Sequence, residues 1–352
     1  MTIAFAAAGT GGHVIPALAV AERLGDHEVI FVGGDRFEAT AVPDAGHELV
    51  QVELRGLQRR LTVENLTIPF VVRRATNELA ELFGSRGVRV LLATGGYVTV
   101  PAALAARRLG IPFYLQEQNA HAGLANRLMG RRAETTFTSF PETHDAVNPR
   151  FVGNPVRSAI ADLDTDAQRP AALERYGLDP SLVTVGVVGG SVGSRPVNMA
   201  VAAALADWAG PDVQVVHLAG ARFEDEVADA VADLGMTYRV VGFEDHMEDF
   251  FAAVDVAVSR ASGMVAELAV TGTPAVVVPG DFGSKGHQEA SARAFEQAGA
   301  VVVVTEDEVG AELGPTLESL CADAERRTAM GEAARAIGRP RAATEIAEEL
   351  IR

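Results

Sequence analysis

The chain has 352 residues, 48% hydrophobic, 22% charged and 6% aromatic, enough for two domains with separate cores and too apolar for a disordered tail. A single cysteine, Cys321, excludes an internal disulfide, and no run approaches 18 apolar residues, so neither an oxidising compartment nor a membrane-spanning helix is predicted. The formal net charge of −17 argues against sequence-independent nucleic-acid binding, which depends on neutralising phosphates.

Short apolar runs alternate with helix-length segments, the pattern of parallel sheets wrapped by helices. The first half predicts strands near Ile3–Ala7, Val29–Val32, Leu49–Leu54, Val90–Ala93, Phe113–Gln116 and Thr135–Thr138, with a helix over Pro16–Leu24. No basic segment precedes the first strand, so a signal peptide is not expected and the reading is a soluble cytoplasmic protein. Phe151-Val152-Gly153-Asn154-Pro155 closes an apolar run with turn residues and marks a domain boundary. Strands then restart at Val183–Val188, Val213–Leu218, Tyr238–Val241, Val254–Ser259, Ala275–Val278 and Ala300–Val304. Helices are expected at Ser194–Trp208, Phe223–Leu234, Gly263–Thr271, Gln288–Gln297 and, at the tail, Ala342–Ile351. Two similar α/β halves account for this pattern better than one large sheet.

The charge divides along the same line. Residues 1–157 carry 16 basic and 15 acidic residues, and the remainder 14 and 32. A near-neutral half can approach an anionic surface that the acidic half avoids.

Each half opens with a strand running into a glycine-rich turn and a helix: Gly9-Thr10-Gly11-Gly12-His13 in the first, Gly189-Gly190-Ser191-Val192-Gly193 in the second. Glycines let a ligand approach the backbone, and helix-start N–H groups favour an anion. Neither turn fits the dinucleotide fingerprint, because Val14 stands where its third glycine belongs, although Asp35 imitates the ribose-binding acid of that fold. Two matched turns favour a nucleotide or phosphate ligand. Further polar segments follow strand ends: Thr94-Gly95-Gly96-Tyr97, Glu117-Gln118-Asn119, and Arg260-Ala261-Ser262-Gly263 with Glu267 one turn on. A carboxylate such as Glu267 can accept both ribose hydroxyls, and a glutamine such as Gln288 can both donate to and accept from a sugar.

Taken together, GTGGHVIPALAVA (9–21), ATGGYVTVPAALAA (93–106), LQEQNAHAGLANRL (115–128), VGNPVR (152–157), VVGGSVGSRPVN (187–198), VAELAVTGTPAVVVP (265–279) and GHQEASA (286–292) resemble the MurG family, the UDP-N-acetylglucosamine transferases that convert lipid I to lipid II. The segments occur in family order through nearly the whole chain. The resemblance implies an α/β, GT-B fold, with two Rossmann-like domains facing a cleft. Residues 1–155 would form the acceptor and membrane-facing domain and 156–338 the UDP-sugar domain, with 339–352 a helix packing back on the first. It implies UDP-GlcNAc and lipid I as substrates, and peripheral attachment to the cytoplasmic face of the membrane. By position, Ser191 would face the diphosphate and Glu267 the ribose, within a donor loop Ser262, Gly263, Met264, Val265 and Ala266. His287 and Gln288 would lie by the sugar, and the main chain near Phe243 and Glu244 would read uracil. Thr10, Gly11, Gly12, Asn119 and Arg157 match further substrate contacts, and Gly95, Gly96, Tyr97 and Gln118 the acceptor side. The chain departs from the family at Val192 (usually glutamine), at Ser291 (usually asparagine) and in the loop Arg260–Glu267, one residue short. All three fall in the donor domain and bear on the donor sugar.

The implied chemistry is an inverting transfer to the C4 hydroxyl of the muramyl sugar. It needs a base for that hydroxyl, with His13 the first candidate and Glu117 the second. Leaving-group charge would be met by N–H groups at Gly190–Gly193 and by Arg157, with no obligatory metal or other cofactor. Asn65–Arg74 (NLTIPFVVRR) reads either as a lipid-interface segment or as an ordinary core-facing helix. Three alternatives stay open. One is a GT-B enzyme with another UDP-sugar or a lipid or natural-product acceptor. Another is an NAD oxidoreductase, and the last a nucleotide-sugar-binding protein without catalysis.

Overall fold

The computed structural model describes residues 1–53, 68–190, 192–280 and 287–352, apart from the side chain of His287. Leu54, Asn65–Thr67, Ser191 and Gly286 therefore lie outside the described residues. The chain divides into two units, Met1–Ser158 with Pro340–Arg352, and Ala159–Arg339.

In unit 1 the described residues form a seven-stranded parallel sheet of β1 (Thr2–Ala6), β2 (Glu28–Gly33), β3 (Glu48–Gln51), β4 (Val88–Ala93), β5 (Phe113–Glu117), β6 (Thr136–Thr138) and β7 (Pro149–Phe151). Its spatial order is β3-β2-β1-β4-β5-β6-β7. Alternation along β1 separates two cores. Ala4 and Ala6 join Ile30, Leu91, Phe83 and Leu79 on one face, while Ile3 and Phe5 join Phe31, Leu92 and Phe137 on the other. The second face also takes Ile346 and Leu350 of the C-terminal helix Ala342–Leu350, fully or almost fully buried. Each such side chain contributes about 1.5–3 kcal/mol of burial.

Unit 2 repeats the plan with β8 (Val183–Val188), β9 (Val213–Leu218), β10 (Tyr238–Val241), β11 (Val256–Arg260), β12 (Ala275–Val278) and β13 (Val301–Val303), ordered β10-β9-β8-β11-β12-β13. Valines dominate its core, as expected of parallel strands covered on both faces.

One strand lies outside the expected set, and two expected boundaries move. Pro149–Phe151 pairs in parallel with Thr136–Thr138 as an edge strand, a position that tolerates Pro149. The first helix runs from Gly11 to Ala21 rather than from Pro16, so His13 lies in its first turn. Pro16 is accommodated inside the helix at the cost of the bond its N–H would have made to the Gly12 carbonyl. Finally, β11 begins at Val256, because Val254 closes the helix Met247–Ala253 and Asp255 is drawn into a contact with Arg169 at 2.9 Å.

Candidate active site

Both sheets reverse their strand order after the first strand of the unit, between β1 and β4 and between β8 and β11. At such a switch point the loops leaving the carboxyl ends of the two strands diverge and open a crevice for a ligand. The glycine-rich turns after β1 and β8 and the polar loops after β4 and β11 all lie there.

In unit 1 the exposed Thr10 is the N-cap of the helix Gly11–Ala21. Its carbonyl accepts from His13 N (3.0 Å) and Val14 N (3.2 Å), while its hydroxyl makes no cap bond. The first turn holds no acidic residue, so the N–H ends at Gly11 and Gly12 keep their pull on an anion. The half-buried His13 is fixed to the loop after β4: Nδ1 lies 2.9 Å from the Thr94 carbonyl, and Thr94 Oγ1 donates to the His13 carbonyl at 2.8 Å. The Gln118 amide meets the same Nδ1 at 2.6 Å. Gly95 makes room for the ring, since a Cβ there would stand 2.6 Å from Nδ1 and its φ is +108°. Gly96, at φ +81°, packs against the Ala8 carbonyl, 2.5 Å from where a Cβ would be.

Two carboxylates stiffen this cluster. Glu117 is 2% exposed and fully engaged: Oε1 accepts from the main-chain N–H (3.0 Å) and Nδ2 (2.9 Å) of Asn119, and Oε2 from Gly123 N (2.8 Å) and Asn126 Nδ2 (2.9 Å). Glu117, expected as the second candidate base, thus has both oxygens engaged within its own loop. Its oxygens are spent on shaping the loop, and Asn119 directs its Nδ2 inward rather than to a ligand. The other carboxylate, Glu38, was not singled out in the sequence. Fully buried, it accepts from Gly9 N (2.9 Å), Gly34 N (2.8 Å) and the Tyr97 hydroxyl (3.3 Å), tying the first glycine turn to the loops after β2 and β4. Asp35, the apparent ribose acid, is exposed instead. Burial and then the Glu38 charge push the Tyr97 phenol up to about 12, so it stays protonated. The family-like GNP turn is held by Asn154, whose Oδ1 lies 3.3 Å from Gln116 Nε2 and 3.2 Å from Ser139 Oγ, and Arg157 follows it half-buried.

In unit 2 the glycine turn is kept tight by main-chain packing. Gly190 and Gly193 have φ of +93° and +74°, and a Cβ on Gly193 would fall 2.1 Å from the Ala219 carbonyl. The helix Arg195–Ala206 follows, with no acidic residue in its first turn. Val192 points outward, 72% exposed. After β11, Ser262 and Gly263 are exposed, Met264 and Ala266 half-buried, and Val265 and Glu267 buried in the first turn of the helix Met264–Thr271. The Ser262 carbonyl accepts from Val265 N at 3.1 Å. Gln288 reaches back to the end of β12, its Oε1 accepting from Gly280 N at 2.8 Å, which leaves its NH2 as the group to offer a ligand. Phe243 is exposed, whereas Glu244 is buried with its carboxylate taken by Arg175 (2.7 Å), the Tyr176 hydroxyl (2.7 Å) and His246 N (2.8 Å). The Glu244 side chain is thus an anchor for the segment, and only main chain there is left for a base.

One further buried chain links unit 2's turn to its sheet. Asn198 Nδ2 donates to the Ala219 carbonyl (2.8 Å), its Oδ1 meets His217 Nε2 (3.1 Å), and His217 Nδ1 meets the Tyr238 hydroxyl (2.7 Å). Burial holds the His217 imidazole down at about 3. Among the described residues no three His, Cys, Asp or Glu side chains form a metal-sized cluster.

The glycosyltransferase family 28 N-terminal domain matches residues 3–138, and the glycosyltransferase family 28 C-terminal domain residues 184–349. A UDP-N-acetylglucosamine--N-acetylmuramyl-(pentapeptide) pyrophosphoryl-undecaprenol N-acetylglucosamine transferase of Salinibacter ruber is 40% identical over 97% of this chain and 94% of its own. A protein of the same name from a Nocardioides species is 38% identical over 96% and 94%. The crystal structure of MurG from Acinetobacter baumannii aligns with a TM-score of 0.77 at 27% identity, covering 99% of both chains.

Proposed function

The chain belongs to the MurG-type N-acetylglucosamine transferases of glycosyltransferase family 28, with the GT-B fold, and from this premise we propose how it performs their reaction. It transfers GlcNAc from UDP-GlcNAc to the C4 hydroxyl of the muramyl sugar of undecaprenyl-pyrophosphoryl-MurNAc-pentapeptide, lipid I, giving lipid II for peptidoglycan synthesis. The hydroxyl oxygen forms a bond to the anomeric carbon, the bond from that carbon to the UDP oxygen breaks, and UDP leaves with the electron pair. Configuration inverts. The hydroxyl proton passes to His13.

Unit 2 takes the donor. Its diphosphate meets the N–H groups of the Gly190–Gly193 turn, which offset the charge of the departing UDP. Glu267 accepts from the ribose, Gln288 donates to the sugar, and the main chain near Phe243 reads the uracil. With the leaving charge met in this way, no obligatory metal or other cofactor is assigned. Unit 1 takes the acceptor against Thr10–Gly12 and the loops carrying Gly95, Gly96 and Gln118.

The acceptor also implies a peripheral attachment to the inner face of the membrane, through unit 1. No helix among the described residues is long and apolar enough to cross a membrane. Phe70, in the helix Ile68–Ser85, is 76% exposed and Leu124 and Leu128 are 56% and 53% exposed, with exposed arginines at 73, 74, 127, 131 and 132. Buried Ala75, Leu79 and Phe83 supply the helix's core face, so Phe70 is spare. Exposed apolar side chains beside cations favour a lipid interface. Phe70→Asp with Ile68→Asp is expected to abolish binding to anionic liposomes and preserve nucleotide binding. Undiminished liposome binding would refute the attachment.

The observation that carries the reading is the placement of both family-matching glycine turns at the switch points of their sheets. Labelled UDP-GlcNAc incubated with a short-chain lipid I analogue tests it. Acceptor-dependent transfer, lost in Glu267→Ala, is expected; binding of a different UDP-sugar alone would overturn the donor. Near-full turnover in His13→Ala would remove the base.

A further inference from the structure

His13 Nδ1 has two neighbours, and together they admit one arrangement of protons. The Thr94 carbonyl, 2.9 Å away, can only accept, and it cannot turn: Thr94 N is bonded to the Ala6 carbonyl and Thr94 Oγ1 to the His13 carbonyl. Nδ1 must therefore carry the hydrogen. The second neighbour, at 2.6 Å, is Nε2 of Gln118, a donor facing a donor. The other end of the same amide, Gln118 Oε1, is buried without a partner among the described residues. Turning the amide by 180° replaces the collision with a hydrogen bond and leaves no additional orphan atom, and oxygen and nitrogen ends are interchangeable by shape.

We propose that Gln118 is a positioning residue: its Oε1 and the Thr94 carbonyl share the Nδ1 hydrogen of His13 and fix the ring in the tautomer whose Nε2 is bare. This rests on the reading of His13 as the base. A base needs its lone pair on the nitrogen that meets the acceptor hydroxyl, and Nδ1 is closed off by Thr94, Gln118 and Gly95. Catalytic imidazoles are commonly oriented by a carboxylate at the far nitrogen. Here two neutral oxygens do the same, and the nearest carboxylate of the loop, Glu117, is committed to Asn119, Gly123 and Asn126.

Two measurements test it. In the full chain labelled with nitrogen-15 histidine, the His13 signals, assigned by their loss in His13→Ala, are expected to show a protonated Nδ1 and a bare Nε2 at alkaline pH. The opposite tautomer overturns the proposal whether or not the protein transfers sugar. In the transfer assay, Gln118→Met is expected to lower kcat about ten- to a hundredfold, less than loss of a base, and to leave KM for the lipid I analogue within about twofold. Gln118→Glu keeps an acceptor and loses both donors, so it is expected to recover most of that kcat. A Glu variant as slow as Met, or a loss confined to KM, would make Gln118 a donor to substrate and sink the proposal. If the parent transfers nothing while Nδ1 is protonated as expected, the reaction assignment fails and the tautomer stands.

Discussion

The two units share a strand order and a glycine turn, yet they hold their turns by different means. In unit 1 side chains do it: Glu38 bonds Gly9 N, His13 is pinned to Thr94, and Gln118 closes on His13. In unit 2 the described part of the turn is packed main chain on main chain, with Gly193 against Ala219 and Gly220, and the buried Asn198–His217–Tyr238 chain bonds the same Ala219 carbonyl. The difference fits the proposed division of labour. Moving a proton needs one titratable ring held within tenths of an ångström, whereas gripping a diphosphate needs unobstructed N–H groups and no competing side chain.

Matched glycine substitutions would break the comparison most sharply. Gly95→Ala puts a Cβ 2.6 Å from His13 Nδ1 at a φ that L-residues avoid, so the ring must move. Turnover is expected to fall about 10²–10⁴-fold, the usual worth of a base, with UDP affinity unchanged. Gly193→Ala meets a main-chain oxygen at 2.1 Å, which cannot yield as a side chain can. It is expected to weaken UDP binding at least about tenfold, measured by calorimetry. If Gly95→Ala weakened UDP binding and Gly193→Ala did not, the division of labour would be reversed.

Glu117→Gln sharpens the contrast within unit 1. A glutamine presents one oxygen and one NH2 where four donors converge, so at least one donor pair is left facing hydrogen. A stability loss of about 2–3 kcal/mol is expected in urea unfolding. Loss of turnover at full stability would restore Glu117 as a base.

Much of this was legible in the residues. Alternating apolar runs gave both sheets because parallel strands buried on both faces leave an uninterrupted valine or alanine signal, as in Val183–Val188. Glycine clusters marked the turns because positive φ at Gly95, Gly190 and Gly193 requires them. Glu38 is not legible locally because its short-range bond to Gly34 resembles an ordinary helix-start contact, while the partners that give it its role, Gly9 and Tyr97, lie 29 and 59 residues away. Glu117 differs, because its partners Asn119, Gly123 and Asn126 all lie within nine residues of it. A carboxylate in a polar loop looks catalytic until its donors are counted, and three of the four come from residues 119 and 126, which carry ordinary asparagines. The helix Thr165–Tyr176 did leave a local mark, with Asp164 capping Ala167 N and Gly177 in the left-handed region at its end.

His217 offers the smallest expected effect and a test confined to unit 2. Buried beside Asn198 and Tyr238, it stays neutral in the folded protein down to about 3, against an ordinary value of 6.5. The unfolded chain therefore binds a proton at this position below 6.5 that the folded one refuses. Stability from this group is complete above pH 6.5 and falls as pH drops toward 3, by about 1.4 kcal/mol per unit. At pH 5 the expected deficit relative to pH 7.5 is about 2 kcal/mol. The single tryptophan, Trp208, lies in unit 2, so its fluorescence during urea unfolding follows that unit. His217→Gln is expected to lower stability at pH 7.5, because the buried chain is cut, and to remove this part of the acid dependence. An acid dependence of the same size in His217→Gln would assign it to other groups, leaving the chain beneath the donor turn as packing without a proton-linked part.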